Sequence, residues 1–305
     1  MIKRTLLIQN PCHLKCSNEQ LVVSFSHVKG LEDRADRTVP IEDIGMLVLE
    51  HQQITLTHYL LDKLVGNNVS VITCNETHHP TGMMLPLEGN TLQSERFRAQ
   101  IDATEPLKKQ LWQQTVKAKI TNQASVFKKW GIKHKLLSNL ADAVKSGDTD
   151  NVEGTAAVHY WQNLFPPAWL FYRRRDGLPP NNLLNYGYAI IRASMARAIV
   201  GAGLLPTMGI FHRNRYNAYC LADDIMEPYR PFVDVVVRSI IDETSHVETL
   251  TQEFKTKLLA LPQTDVLMND EKSPLMVAMG RTAASLAKCY AGEQRKILYP
   301  TMPLT

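Results

Sequence analysis

Long apolar runs are missing from this chain of 305 residues. The longest, from Tyr186 to Phe211, is interrupted by Arg192, Arg197 and Pro206, so no window of about twenty residues is able to cross a bilayer. Cysteine is scarce. Cys12, Cys16, Cys74, Cys220 and Cys289 are odd in number, scattered and without a C-x-x-C pair, which argues against a disulfide framework. Cys12, His13 and Cys16 place soft ligands close together, but a zinc tetrad needs further ligands at regular spacing and none stands nearby, so structural thiols are expected. Internal repeats and low-complexity segments are absent too. With 44% hydrophobic and 21% charged residues, the composition excludes disordered, collagen-like and fibrous chains. At the N-terminus, Lys3 and Arg4 precede only a short apolar run before Gln9, shorter than the apolar region of a signal peptide, and a cytoplasmic location is expected.

What is present is an uneven distribution of charge. The net charge is +4, yet residues 1–90 carry 7 basic against 10 acidic side chains and residues 91–305 carry 27 against 20. The excess concentrates in residues 96–145, where eleven basic side chains, among them Lys108, Lys109, Lys117, Lys119, Lys128 and Lys129, face only Asp102, Glu105 and Asp142. Arg173, Arg174 and Arg175 form a second cluster. A charge run is commonly a solvated helix face. Here it recurs over some fifty residues with Trp112, Phe127 and Trp130 interleaved, which favours a polyphosphate partner such as DNA.

The periodicity divides the chain at the same place. Short β-rich runs occur at residues 4–9, 21–25, 46–50 and 69–73, with one helical pattern over residues 57–65. Pro80, Gly82, Pro86 and Gly89 then cluster, giving a boundary near residue 90. Beyond it the pattern is helical: 95–120, restarted or broken at Pro106; 122–144, divided at Gly131; then 152–164, 181–200, 221–226, 232–241 and 275–290. The expected fold class is α+β, with a β-rich domain at 1–90 and a larger all-helical domain at 91–305.

Polar groups at positions that packing would make apolar mark the candidate chemistry. Glu153 shares a helix face with Ala156, Ala157, Tyr160 and Leu164, so its carboxylate points toward the packed side. It is equally an N-terminal glutamate that complements a helix dipole. His212 follows the apolar run Gly209-Ile-Phe, where a satisfied core histidine is the plainer reading. Asp224 and Glu227 are three apart and would meet on one helical face, where they repel unless something positive stands between them. Carboxylates with an imidazole suit Mn²⁺, or Mg²⁺ if water fills most of its shell.

Four runs in order, Glu153-Gly-x-Ala-Ala-x-x-Tyr-Trp161, Leu184-Asn-Tyr-Gly-Tyr-Ala-Ile190, Gly209-Ile-Phe-His212 and Asp223-Asp-Ile-Met-Glu-Pro-Tyr-Arg-Pro231, resemble the CRISPR-associated spacer integrases, the Cas1 family. The form of the last run is most like the type II members found beside the Cas9 nuclease. Similarity extends to Val39-Pro-Ile-Glu-Asp-Ile44 and His79-Pro-Thr-Gly82, nearly the whole chain. The resemblance implies a β-domain used for homodimerisation and a helical catalytic domain. It implies a metal, Mg²⁺ or Mn²⁺, held by Glu153, His212 and Glu227, with Asp224 the competitor for the last place. The implied reaction joins the 3′-hydroxyl ends of captured DNA to the edges of a CRISPR repeat by transesterification, with the lysines named above and Arg173–Arg175 holding DNA backbone. The implied partners are the prespacer duplex, the repeat DNA and a Cas2 dimer, with Cas9 and an accessory ring protein as helpers, and no membrane. The alternatives are a nuclease on branched DNA and a non-catalytic DNA-binding scaffold.

Overall fold

The computed structural model describes residues 3–26, 28, 30, 34–169, 171–174, 176–244 and 246–303, which fall into two compact units, 1–89 and 90–305. Arg175 lies outside the described residues. Among them no helix is long and apolar enough to cross a membrane.

The first unit holds two four-stranded sheets and a helix. In one sheet, β1 (Arg4–Ile8), β5 (Ile44–Leu49) and β7 (Ser70–Cys74) run parallel, and β8 (Pro80–Met84) closes the edge antiparallel to β7. The central β5 reads Ile-Gly-Met-Leu-Val-Leu without polar alternation because both of its faces are covered. The other sheet has the order β4 (Arg37–Pro40), β3 (Gln20–Ser24), β2 (Cys12–Ser17), β6 (Ile54–Leu56). Helix α1 (His58–Gly66) starts where the Thr57 hydroxyl accepts from the Leu60 amide, and its Leu60 and Leu64 join Leu14, Leu21 and Leu47 in the core.

Strands β2, β4, β6 and β8 are additional to the expected runs. The β2–β3 turn is Asn18-Glu19, both with positive φ (51° and 57°), a two-residue hairpin without the glycine that usually signals one. Strand β8 lies inside the Gly/Pro cluster. Pro80 is tolerated as the first residue of an edge strand, and Gly82 is required because a Cβ there would meet Thr73 Oγ1 at 2.5 Å.

The second unit contains α2 (Gln93–Ile101), α3 (Glu105–Lys129), α4 (Lys135–Ala143), α5 (Val152–Leu164), α6 (Asn181–Gly201), α7 (Cys220–Met226), α8 (Arg230–Glu243), α9 (Gln252–Leu259) and α10 (Leu275–Tyr290). It is not all-helical. An antiparallel hairpin, β9 (Asp265–Met268) with β10 (Glu271–Pro274), turns at Asn269-Asp270, again with positive φ. Pro106 starts α3 rather than breaking it, because a proline in the first helical turn has no amide to lose, and the Thr104 hydroxyl caps that turn. Beyond α3, Gly131 takes φ 66°.

Helix α6 is buried on nearly all sides and packs on α7, α8, α9 and α10. Gly187 lets α8 approach it, since a Cβ there would meet Val233 Cγ1 at 2.4 Å. Helix α3 packs on α4, α5 and α8 and on the Glu227–Tyr229 turn between α7 and α8. That contact builds the site.

Candidate active site

Glu153 stands in the first turn of α5. Asp148 fixes that turn by accepting from the amides of Val152 (2.9 Å) and Glu153 (3.0 Å), so the residue's backbone is anchored from outside its helix. Its carboxylate reaches α3, where Lys119 Nζ donates to Oε1 at 2.6 Å. The same ammonium lies 2.6 Å from Oε2 of Glu227. Glu227 Oε1 accepts from Arg230 Nε at 2.7 Å, while Oε2 is buried and has no aligned hydrogen-bond donor. Burial alone would push the Glu227 carboxyl up, but the Arg230 and Lys119 charges outweigh it and hold the group at about 2. Burial likewise disfavours the Lys119 ammonium, and the two glutamates reverse the effect and raise its pKa.

His212 is held from the other side. Asp224, fully buried, accepts from the amides of Ile210 (2.7 Å) and Phe211 (2.9 Å), from the more distant His212 amide, and from His212 Nδ1. That bond to Asp224 raises the pKa of His212, and the nearby Glu227 and Glu153 charges add to the effect. With Nδ1 bonded to Asp224, Nε2 is the ring nitrogen without a hydrogen-bond partner among the described residues. Phe211 stacks on Trp112 of α3 at 4.4 Å between ring centroids, and Trp112 and Lys119 are seven apart, two turns along the same helix face. Gly209 has no alternative, because a Cβ there would meet His212 O at 2.4 Å and Asp224 Oδ2 at 2.8 Å. His212 also lines a cleft of about 550 Å³ with Glu105, Lys108, Arg213, Arg215 and Tyr216.

Glu153 and Glu227 are thus brought together on one small cation, with His212 beside them. Among the described residues no three His, Cys, Asp or Glu side chains converge closely enough to hold a metal as they stand. The donor chemistry nonetheless fits Mg²⁺ or Mn²⁺: two carboxylates that already share a cation, one buried carboxylate oxygen without an aligned donor, and a free imidazole nitrogen. Asp224 and Glu227, three apart in sequence, bind different partners. Pro228 ends α7 after Met226, and each acid takes its own set of donors.

The basic residues separate. Lys109, Lys117, Lys128 and Lys129 are exposed, with Lys117 paired to Asp142 at 2.9 Å. Lys108 lies near Glu105 at 3.8 Å. Lys119 is not on this surface; its side chain is 12% exposed and its charge is spent on the two glutamates. Arg173 folds back onto Asn181 and Asn185 of α6, while Arg174 is exposed over the Tyr172 ring. Cys12 is buried in β2 and pushed up to about 11 by that burial, the behaviour of a structural thiol.

Spacing alone did not single out Lys119, Arg230 or Asp234. Asp234 of α8 accepts from the hydroxyls of Tyr160 on α5 and Tyr188 on α6, tying three helices at one buried carboxylate. Arg230 was within reach of pattern, since Glu227 and Arg230 are an i, i+3 pair.

Residues 6–272 match the profile of the family described as CRISPR associated protein Cas1. The chain is 35% identical over 287 residues to the CRISPR-associated endonuclease Cas1 of Neisseria meningitidis serogroup C (strain 8013), covering 93% of this chain and 91% of that protein. It is 27% identical to a CRISPR-associated endonuclease Cas1 of Pyrobaculum aerophilum, over 86% of this chain and 92% of that one. In fold it is similar to a casposase bound to its integration product (TM-score 0.77, 21% identity, 96% of this chain and 92% of that one) and to a CAS1 protein from Thermotoga maritima (TM-score 0.74, 16% identity, 95% and 98%). With a profile match over residues 6–272 and a relative 35% identical along 93% of its length, the chain belongs to the CRISPR-associated protein Cas1 family.

Proposed function

We propose that the protein is a metal-dependent DNA integrase, which joins the 3′-hydroxyl ends of captured DNA to the edges of a CRISPR repeat. The observation that carries this reading is the convergence of Glu153 and Glu227, from segments far apart in sequence, on a single cation beside an imidazole held by a buried carboxylate. Glu153, Glu227 and His212 Nε2 would hold Mg²⁺ or Mn²⁺, with Asp224 orienting His212 rather than competing for the ion. When bound, such an ion would favour ionisation of the attacking hydroxyl and neutralise charge developing at phosphorus.

The reaction exchanges one phosphodiester for another. The 3′-oxygen forms a bond to phosphorus, the repeat's own 3′-oxygen leaves, and a proton passes from the first to the second through solvent, so no nucleotide energy is needed. This chain's residues supply position. Asp224 fixes the ring, Arg230 fixes one oxygen of Glu227, and Asp148 fixes the turn that carries Glu153. The exposed lysines of residues 108–129 and Arg174 would bind backbone phosphates without reading sequence. Homodimerisation is assigned to residues 1–90, and a Cas2 dimer, with Cas9 and an accessory ring protein as helpers, to the larger assembly. Two of the solved structures similar in fold are Cas6-RT-Cas1–Cas2 complexes, which supports the Cas2 assignment.

The test is a strand-transfer assay with a supercoiled plasmid carrying a CRISPR array, a short duplex with 3′-hydroxyl ends, and Mn²⁺ or Mg²⁺, with and without Cas2. Joined strands that vanish in Glu153→Gln, Glu227→Gln and His212→Ala while DNA binding persists are expected. Shortened strands alone would instead mean a nuclease, DNA binding with neither product would mean a scaffold with structural acids, and full transfer by Glu153→Gln would remove Glu153 from the site.

A further inference from the structure

Taken without any metal, the charges around Glu153 and Glu227 already balance. Two carboxylates face two cations, Lys119 between them and Arg230 on the far oxygen of Glu227. Lys119 is no incidental neighbour. Its flanking residues Val116 and Ile120 are fully buried, its side chain is 12% exposed, and its ammonium reaches both carboxylates at 2.6 Å. Burying an ammonium is costly unless it is paired, so the two glutamates hold Lys119 as firmly as it holds them. Arg230 is different in kind: it grips only Glu227, leaving Glu153 with no cation but Lys119 among the contacts described.

We propose that Lys119 is a built-in counter-ion: its ammonium occupies the space between Glu153 and Glu227 that a divalent cation takes, and it must release both carboxylates before the cation binds. The inference rests on the metal-site reading above and goes beyond it by giving the site two exclusive occupants. Like charges cannot share so small a space in a poorly solvated setting, so an incoming divalent ion and the ammonium compete for the same two oxygens. A lysine suits the task and an arginine would not. Its charge sits on a flexible four-carbon stem with rotatable donors, whereas a guanidinium would clamp a carboxylate in a fixed fork. In the metal-free protein the counter-ion keeps two acids close without mutual repulsion, so Lys119 is a positioning residue for both.

The experiment measures cation binding on the full-length protein without DNA. Free Mn²⁺ is quantified by its paramagnetic resonance signal during titration of wild type, Lys119→Met and Glu153→Gln. Loss of the competitor is expected to tighten Mn²⁺ binding in Lys119→Met by at least about tenfold, the scale of removing one like charge from beside the ion. Unchanged or weaker binding in Lys119→Met overturns the proposal. A lysine with a purely structural role would lower stability without tightening binding. Because Lys119→Met leaves two acids facing each other, wild type supplies a second reading that needs no variant. Its lysines are acetylated with a limiting amine reagent, with and without Mg²⁺, and Lys119 modification is measured by peptide mass spectrometry. Release by the cation should raise Lys119 labelling several-fold while Lys117 is unchanged, and Lys119 labelling that does not respond to Mg²⁺ overturns the proposal. If Glu153→Gln binds Mn²⁺ as wild type does, the metal-site reading itself fails, an outcome distinct from failure of the lysine competition alone.

Discussion

Replacing Asp224 by Ala tests whether one buried carboxylate organises the histidine loop. Three contributions follow from its partners. The Ile210 amide, now bonded at 2.7 Å, belongs to a buried residue and would be orphaned, at about 1–3 kcal/mol. The Phe211 amide, at 2.9 Å, belongs to a half-exposed residue and finds water, so only the net value of a bond is lost, about 1 kcal/mol. The His212 ring is 48% exposed, and solvent screening reduces its pairing to under about 1 kcal/mol. Relief from desolvating the carboxylate offsets part of this, and a net loss of about 2–3 kcal/mol is expected.

Urea denaturation reads the loss as a lower midpoint at unchanged slope. The pH dependence separates the histidine share from the amide share. Asp224 raises the His212 pKa in the folded protein, so that share is fully present below the unfolded value of about 6.5 and disappears as pH rises through the folded value. The gap between wild type and Asp224→Asn should therefore narrow toward alkaline pH, and the His212 ring resonance of the variant should titrate lower. Strand transfer should fall by about 10–100-fold, the usual penalty for losing a group that orients a ligand. A variant within about 0.5 kcal/mol of wild type, or an unmoved His212 titration, would refute the anchoring role.

Two further expectations concern the core and the surface. Burial pushes the Asp234 carboxyl up to about 6 against the bonds from Tyr188 and Tyr160, so the folded state takes up a proton more readily than the unfolded chain at about 3.9; wild-type stability relative to Asp234→Asn should be greatest below about pH 4 and decline by roughly 2–3 kcal/mol as pH passes 6, and a pH-independent difference would contradict the assignment. If the lysines of this surface, the half-buried Lys108 among them, bind backbone, the double variants Lys108/Lys109→Ala and Lys128/Lys129→Ala should each lower the salt dependence of DNA affinity, by about 0.9 in logarithmic slope per lost duplex contact and equally for unrelated sequences; slopes matching wild type in both would move the DNA path toward Arg174.

How much of this was legible depended on whether a residue's partner lies nearby in sequence. Strand β5 announces itself because burial on both faces leaves an uninterrupted apolar run, and helix α6 because its largely buried run is broken by only a few polar residues such as Arg192 and Arg197. Strand β2 does not, since Cys-His-Leu-Lys-Cys-Ser alternates buried and exposed positions with residues that are not typical strand formers. The β9–β10 hairpin hides behind Asn269-Asp270, and α9 behind the polar run of Gln252–Leu259. Glu153, His212 and Glu227 were visible as a family pattern, but Lys119 was counted with the surface lysines. Nothing local distinguishes it from Lys117, two residues earlier and exposed on the same helix. Only the packing of α3 against α5 and the α7–α8 turn makes one a buried ion and leaves the other in solvent.

That packing also explains why the run Asp223-Asp-Ile-Met-Glu227 carries three buried acids, two in α7 and one in the turn after it. Each is an anchor to a different element. Asp223 receives both Arg192 of α6, at 2.7 and 2.9 Å, and Asn217. Asp224 receives the amides and imidazole of residues 210–212, and Glu227 receives Lys119 of α3 and Arg230 of α8. A buried carboxylate is costly unless donors surround it, so each acid penalises any packing in which its element is misplaced. The three together specify where α6, the histidine loop and α3 stand relative to α7. Glu227 alone among them keeps an oxygen without an aligned hydrogen-bond donor. The other two are saturated by the work of positioning, which leaves Glu227 as the acid of this run with capacity for chemistry.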